Sequence, residues 1–83
     1  MRVSVKLYAL LRKHHPGPNR SVPLEIELPA GATVQDLAEQ LGHTIGLPVA
    51  IVKSAFVNNQ AATHATALND GDQVGLFPPV VGG

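Results

Sequence analysis

Thr33-Val34-Gln35-Asp36-Leu37-Ala38-Glu39-Gln40-Leu41-Gly42 is the stretch on which the fold turns. Val34, Leu37, Ala38 and Leu41 follow the i, i+3, i+4, i+7 spacing of a helix with one buried face. Thr33 stands where an N-cap is needed, and Asp36 places a negative charge near the positive end of the helix dipole. Gly42 is positioned to stop the helix as a C′ residue. Ahead of it, Pro29-Ala30-Gly31-Ala32 turns the chain into the helix.

On both sides of this helix the periodicity changes from 3.6 to 2. Val3, Val5 and Leu7 alternate with Arg2, Ser4, Lys6 and Tyr8, the pattern of a half-buried strand. Leu24, Ile26 and Leu28 alternate with Glu25 and Glu27 as a second strand. The segment from His14 to Ser21 holds two prolines, a glycine and an asparagine and is expected to be the loop between them, in an antiparallel pair. After the helix, Gly46-Leu47-Pro48 breaks the chain, and Val49 to Val52 is open to either a short helix or a strand. Ser54 to Val57 reads as extended, with Val57 inward and Phe56 outward if the alternation holds; a core position for Phe56 is the alternative. Asn58-Asn59-Gln60 is turn material, Ala61 to Ala67 a loop or a poor edge strand, and Asn69-Asp70-Gly71-Asp72 a strong turn. In the last strand, Val74 and Leu76 alternate with Gln73 and Phe77. It is expected to end at Phe77, because Pro78 and Pro79 carry no N–H for a ladder. The expected architecture is an α+β roll. The first and last strands lie side by side in a mixed sheet of four to five strands, packed on one main helix.

Eighty-three residues make one small domain, burying about 60–65% of the surface of its unfolded chain. With no cysteine, a disulfide framework, a thiolate-held zinc and a thiol nucleophile are excluded. Six basic residues balance six acidic ones, and Arg12-Lys13 is the longest basic run. That leaves no field for several phosphate contacts, so no nucleic-acid partner is expected. No apolar stretch approaches a membrane span, and Met1 to Val5 alternates where a signal peptide would be continuously apolar, so a cytoplasmic protein without membrane association is expected. Four histidines show no metal-ligand spacing: His14 and His15 are adjacent in a Pro/Gly loop, and no metal is expected. Asp36, Glu39, Asp70 and Asp72 fall at helix-face and turn positions where capping or solvation accounts for them. No catalytic residue is expected in this chain.

The remaining signal is Pro78-Pro79-Val80-Val81-Gly82-Gly83. With nothing after them, Gly82 and Gly83 are expected neither to cap a helix nor to close a turn. They would put a carboxylate on a tip without side chains, suited to a narrow slot in another protein. Extended, six residues reach roughly 20 Å beyond Phe77. The expected division is a domain at 1–77 and a flexible tail at 78–83. Phe77 and Phe56, if both face away from the helix, would form a partner-docking patch at the base of that tail.

Across nearly its whole length the chain resembles the MoaD/ThiS family of sulfur carriers, which have the β-grasp fold of ubiquitin. The resemblance rests on Val3-Ser4-Val5-Lys6-Leu7, Pro29-Ala30-Gly31-Ala32-Thr33-Val34, Phe56-Val57-Asn58, Asp70-Gly71-Asp72-Gln73-Val74 and, above all, Leu76-Phe77-Pro78-Pro79-Val80-Val81-Gly82-Gly83. Phe-Pro-Pro, two residues, then Gly-Gly is similar to the MoaD branch, the small subunits of molybdopterin synthase. The longer loop around His14-His15 and the Ala/Thr-rich 61–67 depart from that pattern.

The resemblance implies that an adenylyltransferase of the ubiquitin-activating type uses ATP to adenylate Gly83. Sulfur then replaces AMP to leave a thiocarboxylate, and no cofactor is bound by the chain itself. It also implies that Pro78, Pro79, Val80, Val81, Gly82 and Gly83 enter the active site of the molybdopterin synthase large subunit in a heterotetramer. The catalytic residues would be the partner's, and molybdenum cofactor biosynthesis the pathway. Carriers for thiamine, cysteine or tRNA thiolation, a ubiquitin-like protein modifier, and an interaction domain with an inert tail are the alternatives.

Overall fold

The structure is a computed structural model describing residues 1–79. Val80, Val81, Gly82 and Gly83, the outer part of the expected tail, lie outside the described residues.

Five strands form one sheet: β1 (Arg2–Leu7), β2 (Leu24–Glu27), β3 (Ser54–Val57), β4 (Gln60–Ala62) and β5 (Gln73–Phe77). Their spatial order is β2-β1-β5-β3-β4. β1 pairs with β2 antiparallel and with β5 parallel, and β3 is antiparallel to both β4 and β5. One face carries α1 (Val34–Ile45). Val3, Val5, Leu7, Val74 and Leu76 from the two central strands are buried there with Val34, Leu37, Ala38 and Leu41 of the helix. This is the mixed sheet on one helix expected from the periodicities.

The helix start is doubly secured. The Asp36 N–H donates to Thr33 Oγ1 at 3.3 Å, and Asp36 Oδ2 accepts from the Thr33 N–H at 2.9 Å. This reciprocal capping box satisfies two backbone donors. The next N–H groups, which no intrahelical carbonyl can serve, donate outward: Val34 to the Thr66 carbonyl and Gln35 to that of His64, both at 3.0 Å. Residues 61–67 therefore open with the edge strand β4 and then fold over the helix N-terminus.

The helix does not end at Gly42. It runs one further turn to Ile45, where Gly46 at φ 72 takes the left-handed cap and donates its N–H to the Leu41 carbonyl. Gly42 serves a different purpose. A Cβ there would lie 3.0 Å from Val49 Cγ2 and 3.3 Å from the Leu47 carbonyl oxygen, so its missing side chain admits the returning chain. That return is a 3₁₀ turn at Val49–Ile51, the helical one of the two options.

The loop between β1 and β2 starts later than expected. Ala9–His14 is a 3₁₀ helix that includes His14 and buries Leu11 completely. Six residues are too few for a periodicity to declare itself. The β3–β4 turn is a two-residue hairpin with Asn58 at φ 51 and Asn59 at φ 67, the left-handed pair that matches strand twist. Asn58 Nδ2 and the Asn69 N–H both donate to the carboxylate of buried Asp72, at 2.9 and 2.8 Å. Asp72 thus ties that hairpin to the start of β5.

Substituting Gly46 by alanine should lower the unfolding free energy by about 1–2 kcal/mol, the cost of a left-handed residue with a Cβ. Urea denaturation measures it, and an unchanged midpoint would contradict the cap.

Candidate functional site

Strand alternation divides β5 between the two faces of the sheet. Val74 and Leu76 point under the helix, while Gln73, Gly75 and Phe77 share the open face. On β3, Ala55 is buried and Phe56 is 40% exposed, so Phe56 is on the open face and not in the core. The register sets Phe56 opposite Gly75 and Ser54 opposite Phe77, with Lys6 of β1 beside Gly75 on the other flank.

The two phenylalanines expected to meet do so, edge to face, with ring centroids 5.6 Å apart and planes at 69°. A third ring joins them. Tyr8, one residue past β1, stacks on Phe77 with centroids 4.3 Å apart and planes 8° from parallel. Lys6 Nζ lies 5.5 Å from the Tyr8 centroid, within cation–π range. Alternation along β1 sets Tyr8 on the same side as Lys6, and nothing in the local sequence marks it for a role. The parallel β1–β5 register is what carries it to Phe77. Together these side chains line a shallow groove of about 570 Å³, with Asn59 and Gln73 at its far end.

The two ends of the open face differ in character. Toward the start of β1, Arg2 pairs with Glu27 at 2.7 Å and Ser4 Oγ donates to Glu25 at 2.6 Å. Both interactions are exposed and worth little to stability. Toward the end of β5 the surface is aromatic, and Lys6 has no carboxylate partner among the described residues.

That aromatic end is also where the chain leaves the sheet. The Leu76 carbonyl accepts from the Tyr8 N–H at 3.1 Å, and the Phe77 carbonyl accepts from the Lys53 N–H at 3.0 Å. Pro78 is buried and Pro79 exposed, so the packed surface extends one residue past Phe77. Neither proline has an N–H to donate, which closes the ladder here. No helix among the described residues is long and apolar enough to cross a membrane.

Comparison with known proteins supplies the family. The sequence model of the ThiS family matches residues 5–83. The chain belongs to the ThiS family. Among solved structures, this ThiS-family chain is similar to SAMP1 from Haloferax volcanii, at 26% identity over 100% of both chains with a TM-score of 0.78. It is also similar to a putative molybdopterin converting factor subunit 1 from Pyrococcus furiosus, at 32% identity over 95% of this chain and 98% of that one, TM-score 0.71. A complex of subunits 1 and 2 of molybdopterin-converting factor from Helicobacter pylori matches at 26% identity over 100% of both chains, TM-score 0.60. Comparison with curated proteins gave no match. The fold is the β-grasp of ubiquitin-like proteins, in the form used by ThiS/MoaD-type sulfur carriers.

The two faces of the sheet should respond differently to truncation. Phe56→Ala should cost about 1 kcal/mol or less, the scale of an exposed aromatic pair. Leu76→Ala should cost about 2–5 kcal/mol through the cavity it leaves in the core. Urea midpoints compare them, and equal losses would contradict the assignment of faces.

Proposed function

We propose that this protein is a sulfur carrier activated at the carboxyl of Gly83, serving most directly as the small subunit of a molybdopterin synthase. The observation that carries the reading is the family match running through residue 83, on a fold whose last strand ends in an aromatic face. A carboxylate is a poor acyl donor. In the proposed chemistry the Gly83 carboxylate attacks the α-phosphorus of ATP, pyrophosphate leaves, and an acyl-adenylate forms. A hydrosulfide-level sulfur then attacks the acyl carbon and AMP departs, leaving a terminal thiocarboxylate. The activating enzyme, an adenylyltransferase of the ubiquitin-activating type, supplies the ATP site. This chain supplies recognition and placement, as a group carrier does.

The partner reading follows the Helicobacter complex of subunits 1 and 2. By analogy, the open face with Phe56 and Phe77 docks against a large subunit, and Pro78 to Gly83 runs into its active site. A tip of two glycines fits a slot where any Cβ would collide. Catalytic acids and bases belong to the partner, and two carriers on a large-subunit dimer make the heterotetramer. The cytoplasm is the compartment for this chemistry.

A second reading has its own support. SAMP1, a small archaeal modifier protein, aligns over the full length of both chains. In that case a lysine amine attacks the acyl carbon of the same Gly83 adenylate, AMP departs, the amine loses a proton, and an isopeptide bond forms. Co-purification separates the two: a complex with a large subunit supports the carrier, and covalent adducts to other proteins support the modifier.

Deleting Gly83, or Gly83→Ala, should abolish carrier-dependent pyrophosphate release by the activating enzyme while leaving the melting temperature unchanged. Full release from the deleted chain would overturn activation at Gly83.

A further inference from the structure

Two local irregularities converge on Tyr8. Ala9, directly after it, has φ 52, a left-handed conformation that a residue with a Cβ adopts only at a cost. The other non-glycine residues with positive φ among the described residues are Asn58 and Asn59, which form a tight hairpin turn and are of a type that tolerates it. Ala9 has neither excuse. Its bend sends the chain off the sheet into the 3₁₀ helix that buries Leu11. It also leaves Tyr8 as the last residue held on β5, through the 3.1 Å hydrogen bond to the Leu76 carbonyl.

The second irregularity is Gly75, in the middle of the central strand. Glycine there weakens a strand, and it often marks a close approach. Gly75 is not among the glycines with positive φ, so its backbone does not demand glycine. What it provides is space. A Cβ at 75 would lie 3.0 Å from Tyr8 Cε2 and 3.5 Å from Phe77 Cε2. The ring edge of Tyr8 takes the room that a side chain would fill, while that of Phe77 lies at ordinary contact distance.

We infer that Gly75 seats Tyr8 flat against Phe77, and that Gly75 and Tyr8 thereby act as positioning residues for delivery of Gly83 to the activating enzyme. The inference rests on the carrier reading above. The two rings form one plate, with Lys6 against it, and Phe77 is held both by that stack and by its carbonyl bond to Lys53. Beyond Phe77 the prolines offer no backbone donor, so this plate lies where the sheet's hold on the chain ends. A partner that grips the plate meets the tail from a fixed origin.

The chain contains one tyrosine and no tryptophan, so the tyrosine near-UV circular dichroism of the free protein reports the Tyr8 environment alone. Gly75→Val keeps all three rings but fills the seat. It should change that tyrosine band and leave the melting temperature at or above that of the parent, because valine favours strands. It should also raise the KM for the carrier in adenylation about 2- to 13-fold, the range expected for losing one aromatic pair, with little change in kcat. Gly75→Ala should show the same signs at smaller size, and stands in if valine lowers the melting temperature. Tyr8→Ala should raise KM similarly, and Tyr8→Phe, which keeps the stack, should restore it.

An altered tyrosine band with parental KM in Gly75→Val would overturn the positioning role. An unaltered band would overturn the seat. If the parent chain itself is not adenylated by an enzyme active on another carrier, the carrier reading fails and takes this inference with it.

Discussion

The parallel pairing of β1 with β5 is the constraint on which the rest of the molecule depends. It aligns Ser4, Val5, Lys6 and Leu7 with Gln73, Val74, Gly75 and Leu76, joining two ends of the sequence in the middle of the sheet. Parallel strands cannot be joined by a tight turn. Everything between them is the crossover, and its helix is the lid that buries Val3, Val5, Leu7, Val74 and Leu76. The same register has a consequence on the opposite face. It carries Tyr8 alongside Phe77, where β5 ends. Core formation and the aromatic geometry at the end of β5 are therefore two results of one pairing.

How much of this was legible in the sequence depended on how local the deciding interaction is. The helix start was readable because Thr33 and Asp36 satisfy each other within one turn. The strand faces were readable because a half-buried sheet writes its alternation into Val3-Val5-Leu7 and Val74-Leu76. The helix end was not, since Gly42 and Gly46 both suit a cap. Gly46 takes the left-handed cap, while Gly42 is needed for the close approach of Val49 and the Leu47 carbonyl, a tertiary contact invisible in the local pattern. Ala9–His14 is too short to show a period.

The aromatic face was half legible for the same reason. Alternation placed Phe56 and Phe77 on the open side, and the sheet brings them to 5.6 Å. Tyr8 and Gly75 went unassigned because their importance arises from each other. One lacks a Cβ where the other needs room, and the sequence separates them by most of its length. Asp72, read as a turn residue, proved to be the acceptor that ties Asn58 and Asn69 together; its role is capping, with burial in place of solvation.

The two sheet faces differ, one packed to hold the fold and one left aromatic at the end of β5. The central claim is that sulfur travels on Gly83. Intact-protein mass spectrometry after incubation with ATP, the activating enzyme and a sulfur donor tests this most directly. The account predicts a mass gain equal to one oxygen replaced by sulfur, located on the C-terminal peptide. An unchanged mass, from an enzyme that converts another carrier in the same assay, would contradict it.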